Sequence, residues 1–436
     1  MSAAASEPEV AQAFALFSEG KLRESQALLQ GILEHDPGNF DALNGAGLTA
    51  AKLGDHEEAG LLLARALQIR PQDLTCHLNL LSLMQQQGDL LGAARVAEAG
   101  FEFHPGHPEL TFLRRDIRRR ILLQRWPLAV LARSDFLAGP PAMKMHDGDF
   151  WFAQNLRAAL AAAGAVVNSG ADRALLLLHG FLPPRLPPVE RKMIWIHSHP
   201  DDLSPERLLS FDQVFSLSPG YAARLREKGV PADVLIGGTE KQPPNPPAPL
   251  SHGIVFVGNA RRLNKVPEIR PILRDVLSLG ARWLGLLEVW GLGWDNLLPR
   301  ACLKGACIHN RRLAELYAGS VVVLNDHHED MRREGFLNPR LLDVMAAGGV
   351  VISDDLAGSE SVFGDALLRY RTPAELDRLL MRLFGDDAFR QDCVHRGRHA
   401  VRSYTFARVA EQVLDRVLAW EEDEPRVPER EMGNRS

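Results

Sequence analysis

Asp326, His327, His328, Glu329 and Asp330 stand together in this chain, and Glu334, Asn338, Arg340 and Asp343 follow closely. Carboxylates and imidazoles can hold a metal ion, move a proton or bind hydroxyl groups, whereas an arginine suits an anion. A metal is the least favoured of these readings, because adjacent loop histidines seldom converge on one ion and a hard cation would not select them. Two further sets offer proton chemistry: His197 and His199 in IWIHSHPDD, and His146, Asp147 and Asp149 in MHDGDFW. Histidine can deprotonate a hydroxyl at neutral pH. Asp149 could equally cap a helix beginning at Phe150.

Strands and helices must bring these residues together. Val321–Leu324 is a continuous apolar run of the kind a parallel strand buried on both faces requires. Charged residues break it, apolar positions from Pro339 recur at helical spacing, Gly348 and Gly349 stop that helix, and Val350–Ile352 starts another strand. Ligands in such sheets bind beyond the carboxyl ends of the strands, where residues 325–340 would lie. The same alternation runs back to Pro127, with strands expected at Leu128–Leu131, Leu175–Leu178, Met193–Ile196 and Val214–Leu217 and a helix at Phe150–Ala163. Strand alternation would aim His197 and His199 the same way, into a cleft. A second series follows: strands at Ile254–Val257 and Trp283–Val289, and a helix near Pro267–Leu279. Between the two series, proline density in EKQPPNPPAPLSHG forbids helix and central strand.

The first quarter is a repeat. Gly20, Gly54 and Gly88 recur at a spacing of 34, as do Pro37, Pro71 and Pro105, which is the tetratricopeptide period. The middle unit keeps the pattern best, with Gly47 and Ala59 small enough for close helix approach, while Ser25 and Gly100 replace the usual alanine in its neighbours. Helix Pro108–Trp126 would cap the array. Such solenoids offer concave surfaces to protein partners; a structural extension or a homo-oligomer contact is the alternative.

Composition excludes several classes. The chain has 436 residues, enough for several domains, and 50 Lys and Arg against 55 Asp and Glu give a net charge of −5, no electrostatic reason to expect nucleic acid. Its basic stretch, Arg114–Arg125, reads as the solvated face of the capping helix. Cys76, Cys302, Cys307 and Cys393 have no paired spacing, so neither disulfides nor zinc are indicated and a reducing, cytoplasmic setting is expected. MSAAASEPEVAQAF has neither the basic start nor the apolar core of a signal peptide, and no apolar run reaches membrane-spanning length. The tail from Glu421 is charged and expected to be disordered.

GIVFVGNARR, VWGLGWDNLLP, LAELYAGSVVVLND and NPRLLDVMAAGGVVISDD occur in an order that resembles CgeB-type glycosyltransferases of the GT-B fold, over about Pro127–Trp420. The layout, repeats ahead of a GT-B unit, is similar to that of protein glycosyltransferases such as O-GlcNAc and flagellin-modifying enzymes. The resemblance implies a tetratricopeptide solenoid at 1–126, an acceptor-side Rossmann-like half-domain at 127–239, a proline-rich linker at 240–252, a donor-side half-domain at 253–420 and a tail at 421–436. It implies transfer of a sugar from a nucleotide sugar, with no other cofactor and no metal, to a protein or peptide recruited by the repeats. A polysaccharide or lipid-linked acceptor, or an adaptor whose GT-B unit has lost chemistry, is the alternative.

Site residues follow by the same resemblance. Glu334 and Asp343 are nearest to the acid pair that GT-B enzymes place at the sugar and the ribose, although the spacing is one residue longer and Asp stands where Glu is usual. Arg340, with Asn338 at the start of its helix, and His327 would also face the donor. On the opposite wall, Gly258 and Gly293 would make room for the nucleotide, with Asn259, Arg261, Arg262 and Lys265 as donors to a diphosphate. His197, His199, Asp149 and Asp147 are the candidate catalytic bases.

Overall fold

Asparagine or aspartate precedes four of the first helices, and the structure uses each as a cap. The computed structural model describes residues 7–136, 148–179, 185–263 and 266–423, and divides into two compact units, Met1–Arg125 and Trp126–Ser436. In the first, α1 (Glu7–Ser18), α2 (Leu22–His35), α3 (Phe40–Leu53), α4 (His56–Ile69), α5 (Leu74–Gln87), α6 (Leu90–Phe103) and α7 (Pro108–Arg125) pack in succession. The side chains of Asn39, Asp55, Asp73 and Asp89 accept from the backbone N–H three residues on, satisfying donors that would otherwise lack partners. Gly54 and Gly88 close α3 and α5 at φ 88° and 76°, a conformation that side chains avoid.

Close packing of α3 on α4 depends on Gly47, where an added Cβ would lie 2.7 Å from Leu63 Cγ. The two departures from the repeat pattern have local reasons. Ser25 is buried and donates to the Ala13 carbonyl at 2.8 Å. At Gly100 a Cβ would come within 3.1 Å of the His77 ring, so glycine makes room for a larger neighbour.

The second unit holds two parallel sheets. The first has β1 (Leu128–Leu131), β2 (Ala174–His179), β3 (Arg191–Ile196), β4 (Gln213–Ser216) and β5 (Ala232–Val234) in sequence order. The second is built from β6 (His252–Val257), β9 (Leu287–Trp290), β10 (Leu303–Gly305), β11 (Ser320–Asn325), β12 (Val351–Asp354) and β13 (Leu368–Tyr370), in the order β10-β9-β6-β11-β12-β13. Ile254, Phe256, Val322, Leu324 and Ile352 pack under helices Pro271–Ser278 and Pro373–Gly385, while Val255, Val323 and Val351 pack under helix Pro339–Ala346 on the other face. Burial on both faces is why these strands read as unbroken apolar runs.

Two expected elements differ. Residues 266–268 are not helical: β7 (Arg261–Leu263) and β8 (Val266–Glu268) form an antiparallel hairpin, and the helix starts only at Pro271, where proline suits the first turn. The run expected as one strand, Trp283–Val289, is split into a short helix, Ala281–Leu284, and β9, because Gly285 interrupts it and a short apolar run does not distinguish helix from strand. The proline-rich segment after Thr239 has no regular structure up to β6. The last helix, Phe406–Asp423, returns to the first sheet, where Phe406 meets Phe152 edge-on at 4.9 Å and Trp420 lies 5.8 Å from Trp126.

Candidate functional site

The chain lays β6, β9 and β10 outward in one direction and then crosses back to set β11 beside β6. Strand order therefore reverses between β6 and β11, and a crevice opens beyond their carboxyl ends. Gly258 follows one strand and Asp326 the other. Three guanidinium groups converge there. Arg270 Nε donates to Asp326 Oδ1 at 2.8 Å and its Nη2 reaches the same oxygen. Arg261 Nη2 lies 3.6 Å from Asp326 Oδ2 and donates to the His327 carbonyl. Arg340 Nη1 donates to Asn325 Oδ1 at 2.9 Å.

Asp326 is the carboxylate that Arg261 and Arg270 share, and its side chain is 1% exposed. Its Oδ2 and Arg261 Nε are buried without a hydrogen-bond partner. Burial pushes the pKa of both Arg261 and Arg340 below the ordinary arginine value, so their charged forms are under-compensated. An incoming anion would relieve that imbalance.

Glycines shape the adjoining wall, chiefly for the protein's own backbone. A Cβ on Gly291 would lie 2.1 Å from the Gly258 carbonyl oxygen, and Gly293 sits at φ 86° against Ala260. Asn259 Oδ1 accepts from Leu292 N at 2.8 Å, and Trp294 Nε1 donates to the Gly258 carbonyl at 2.9 Å. Gly258, Asn259 and Gly293 thus lock two loops together at the mouth of the crevice. Gly258 also approaches the ligand side, since a Cβ there would be 3.3 Å from Arg340 Nη2.

His327 is clamped from both sides. Asn338 N donates to Nε2 at 3.2 Å, which leaves the proton on Nδ1, 2.6 Å from Asp354 Oδ1. Burial works against the Asp354 carboxylate, yet the His327 contacts hold its pKa below the ordinary value. Asn338 also caps helix Pro339–Ala346 by accepting from Arg340 N at 3.0 Å. His327 and Asn338 therefore fix the loop between β11 and that helix, and with it the Arg340 guanidinium. His328, beside it, is pushed down to about 3 by burial and by Arg270 and Arg261. That ring is neutral at physiological pH.

The first half contributes the facing wall at the end of β3. His199 adopts a left-handed backbone at φ 48°, its ring 4.7 Å from that of His328 and its Nδ1 3.8 Å from Asp330 Oδ2. His197 points elsewhere. It is 6% exposed and packed edge-on against Phe152 at 4.5 Å and Trp195 at 4.6 Å. The expected common direction fails because β3 ends at Ile196 and alternation does not continue past it. Asp149 lies in the first turn of helix Gly148–Ala162 rather than ahead of it, where its charge suits the helix dipole. Asp147 and His146 lie outside the described residues, as do Lys265 and the Arg262 side chain.

Glu334 bridges the halves. It is ion-paired to Arg224 of helix Pro219–Glu227 and to Arg333 Nε at 3.1 Å, while Ser218 Oγ donates to its carbonyl. Tyr221 and Phe336 stack edge-on beside it at 5.2 Å. Asp343 occupies the other end of the junction, where Thr239 Oγ1 donates to its Oδ1 at 2.5 Å.

Burial raises the Asp343 pKa to about 6, above its ordinary value. The folded protein therefore holds this proton more tightly than the unfolded chain, and stability is lost as pH rises from about 4 through 6. Asp343→Asn should remove that loss, raising stability at pH 7.5 by up to about 3 kcal/mol and flattening the profile between pH 4 and 6. Urea denaturation at several pH values reads the difference. An Asp343→Asn variant that kept the wild-type pH profile would assign the titration elsewhere.

Arg270 and Asp354 were not singled out from sequence. Arg270 carried one readable signal, its place directly before Pro271 at the start of the first helix after β6. Asp354 had none, because its role comes from a neighbouring strand. Among the described residues no group of three or more His, Cys, Asp or Glu side chains is arranged to hold a metal ion, and no helix is long and apolar enough to cross a membrane.

Residues 270–415 match a family described as glycosyl transferase-like, and residues 16–77 match the tetratricopeptide repeat. No curated protein matches the chain at a significant level. Among solved structures, a mutant O-GlcNAc transferase from Thermobaculum terrenum aligns over 96% of this chain and 98% of its own, at 13% identity and a TM-score of 0.42. The type III secretion translocator chaperone SycD of Yersinia enterocolitica aligns over 27% of this chain and 81% of its own, at 17% identity and a TM-score of 0.25. At such identities and scores neither likeness bears on activity. What the two family matches give is a chain with tetratricopeptide repeats ahead of a glycosyl transferase-like domain.

Proposed function

We propose that the chain is a GT-B glycosyltransferase that moves a sugar from a nucleotide-sugar donor to a protein or peptide acceptor recruited by its repeats. The observation that carries this reading is the convergence of three guanidinium groups at the strand-order reversal, Arg261 and Arg270 on Asp326 and Arg340 beside them on Asn325. Departure of a nucleoside diphosphate needs its charge stabilised in place, and a preorganised arginine cluster does that. Gly258 gives the phosphates close backbone access, Asn338 and His327 hold Arg340 in position, and Asp343 is the acid nearest a ribose role. Asn259 would extend the donor wall, and Lys265 is the remaining candidate donor to the diphosphate. His199, oriented toward Asp330, is the favoured base for the acceptor hydroxyl, ahead of His197, Asp149 and Asp147.

Calorimetry with UDP, GDP, dTDP, ADP and CMP tests the reading. Micromolar binding of one nucleotide, with slow hydrolysis of the matching nucleotide sugar, is expected; no binding across the panel would refute it. One observation favours an adaptor without chemistry instead: Glu334, expected near the sugar, is committed to Arg224.

Removing Met1–Arg125 should abolish modification of a protein acceptor while donor hydrolysis persists. The cut keeps Trp126, which is buried against Trp420 and has Arg173 stacked 4.1 Å from its ring. Loss of both activities from a folded truncated protein would make the repeats structural.

A further inference from the structure

A second basic site lies away from the crevice. Where the proline-rich segment leaves Thr239, a cavity of about 380 Å³ opens between that segment and helix Asp387–Val401. Lys241, His395, Arg398, His399 and Arg402 line it, and no carboxylate does. Lys241 is already engaged, its Nζ donating to Asn310 Oδ1 at 2.5 Å and to Glu240. The other four have no ion-pair partner among the described residues.

The rest of the same helix is built differently. Arg390 pairs with Asp387, and Arg396 pairs with Asp392 at 2.9 Å and Asp365 at 3.0 Å. Arginines facing away from the cavity are thus neutralised, while those lining it are left bare. Arg398 and Arg402 also stand four residues apart, a spacing at which like charges on a helix repel. The dipole accounts for cations in the last helical turn, but not for the lack of any acid across the cavity. Its volume suits a small molecule rather than a macromolecule.

We propose that this cavity binds a small phosphorylated anion, through the Arg398 and Arg402 guanidiniums. Arginine matches phosphate with paired, charge-assisted hydrogen bonds. Arg398 and Arg402 take no part in the crevice around Asp326, so substituting them tests this site apart from the donor reading, which the cavity touches only where Thr239 bonds Asp343.

The test is calorimetric titration with inorganic diphosphate of wild type, of Arg398→Ala/Arg402→Ala and of Arg270→Ala/Asp326→Asn. Two binding events are expected in wild type. The Arg398/Arg402 variant should weaken one by roughly tenfold or more and keep the other, with its thermal transition nearly unchanged because both side chains are exposed. The Arg270/Asp326 variant should show the converse. A single event lost only in the Arg398/Arg402 variant would support this site while sinking the donor reading. Titrations in which that variant behaves as wild type, or no binding at all, would overturn the proposal. Inorganic phosphate, a hexose phosphate and a nucleoside diphosphate, each titrated into the Arg270/Asp326 variant, identify the source of the phosphate.

Discussion

Arg270→Ala should weaken nucleoside diphosphate binding by roughly 100-fold, since truncating one member of a desolvated charge cluster costs several kcal/mol. The same change leaves Asp326, 1% exposed, with only Arg261 at 3.6 Å, and an under-paired buried carboxylate costs about 3–5 kcal/mol of stability. The two effects separate in a second variant. Arg270→Ala/Asp326→Asn should recover most of the thermal stability, because the orphaned charge is gone, but none of the affinity. Full affinity in the folded double variant would mean that Arg270 serves Asp326 alone. Arg270→Lys keeps a charge but not the two-pronged hold on Oδ1, so intermediate affinity is expected.

His199→Asn should lower transfer to the acceptor by about 10²–10⁴-fold while nucleotide affinity stays within twofold of wild type. Asparagine is the informative replacement because it tolerates the left-handed backbone at this position, which alanine would strain. His197→Asn provides the contrast. That ring is enclosed by Phe152 and Trp195, so its loss should appear first as a lower melting temperature. Transfer that survives His199→Asn but is lost in a folded His197 variant would reverse the assignment. His328, neutral because its pKa is pushed down to about 3, should make the folded protein less stable as pH falls below about 6.5, since the unfolded chain then binds the extra proton.

Much of this fold was legible. Buried parallel strands announce themselves as apolar runs, and β6 and β11 lie within a residue or two of their expected bounds. The repeat showed in the spacing of Gly20, Gly54 and Gly88. The β7–β8 hairpin was hidden because three-residue strands carry too little pattern to outweigh an adjacent helix signal. Sequence named Arg261, His327, Asn338 and Arg340 because each lies in a loop, hairpin or first helical turn beyond a strand. Arg270 and Asp354 act through tertiary neighbours, and local sequence does not name those. For the same reason an amphipathic helix such as Phe406–Asp423 advertises an apolar face without saying which sheet will cover it.

The chain passes from one half of the second unit to the other at Thr239 and comes back at Thr405, and these two residues pair side by side. Gly238 is pressed against the returning chain at the start of the last helix, where a Cβ would stand 2.6 Å from Phe406 N. The two crossings are fastened to each other. The halves are thus joined along one narrow line rather than at two separate points, and that line fixes the register in which the arginine wall faces His199.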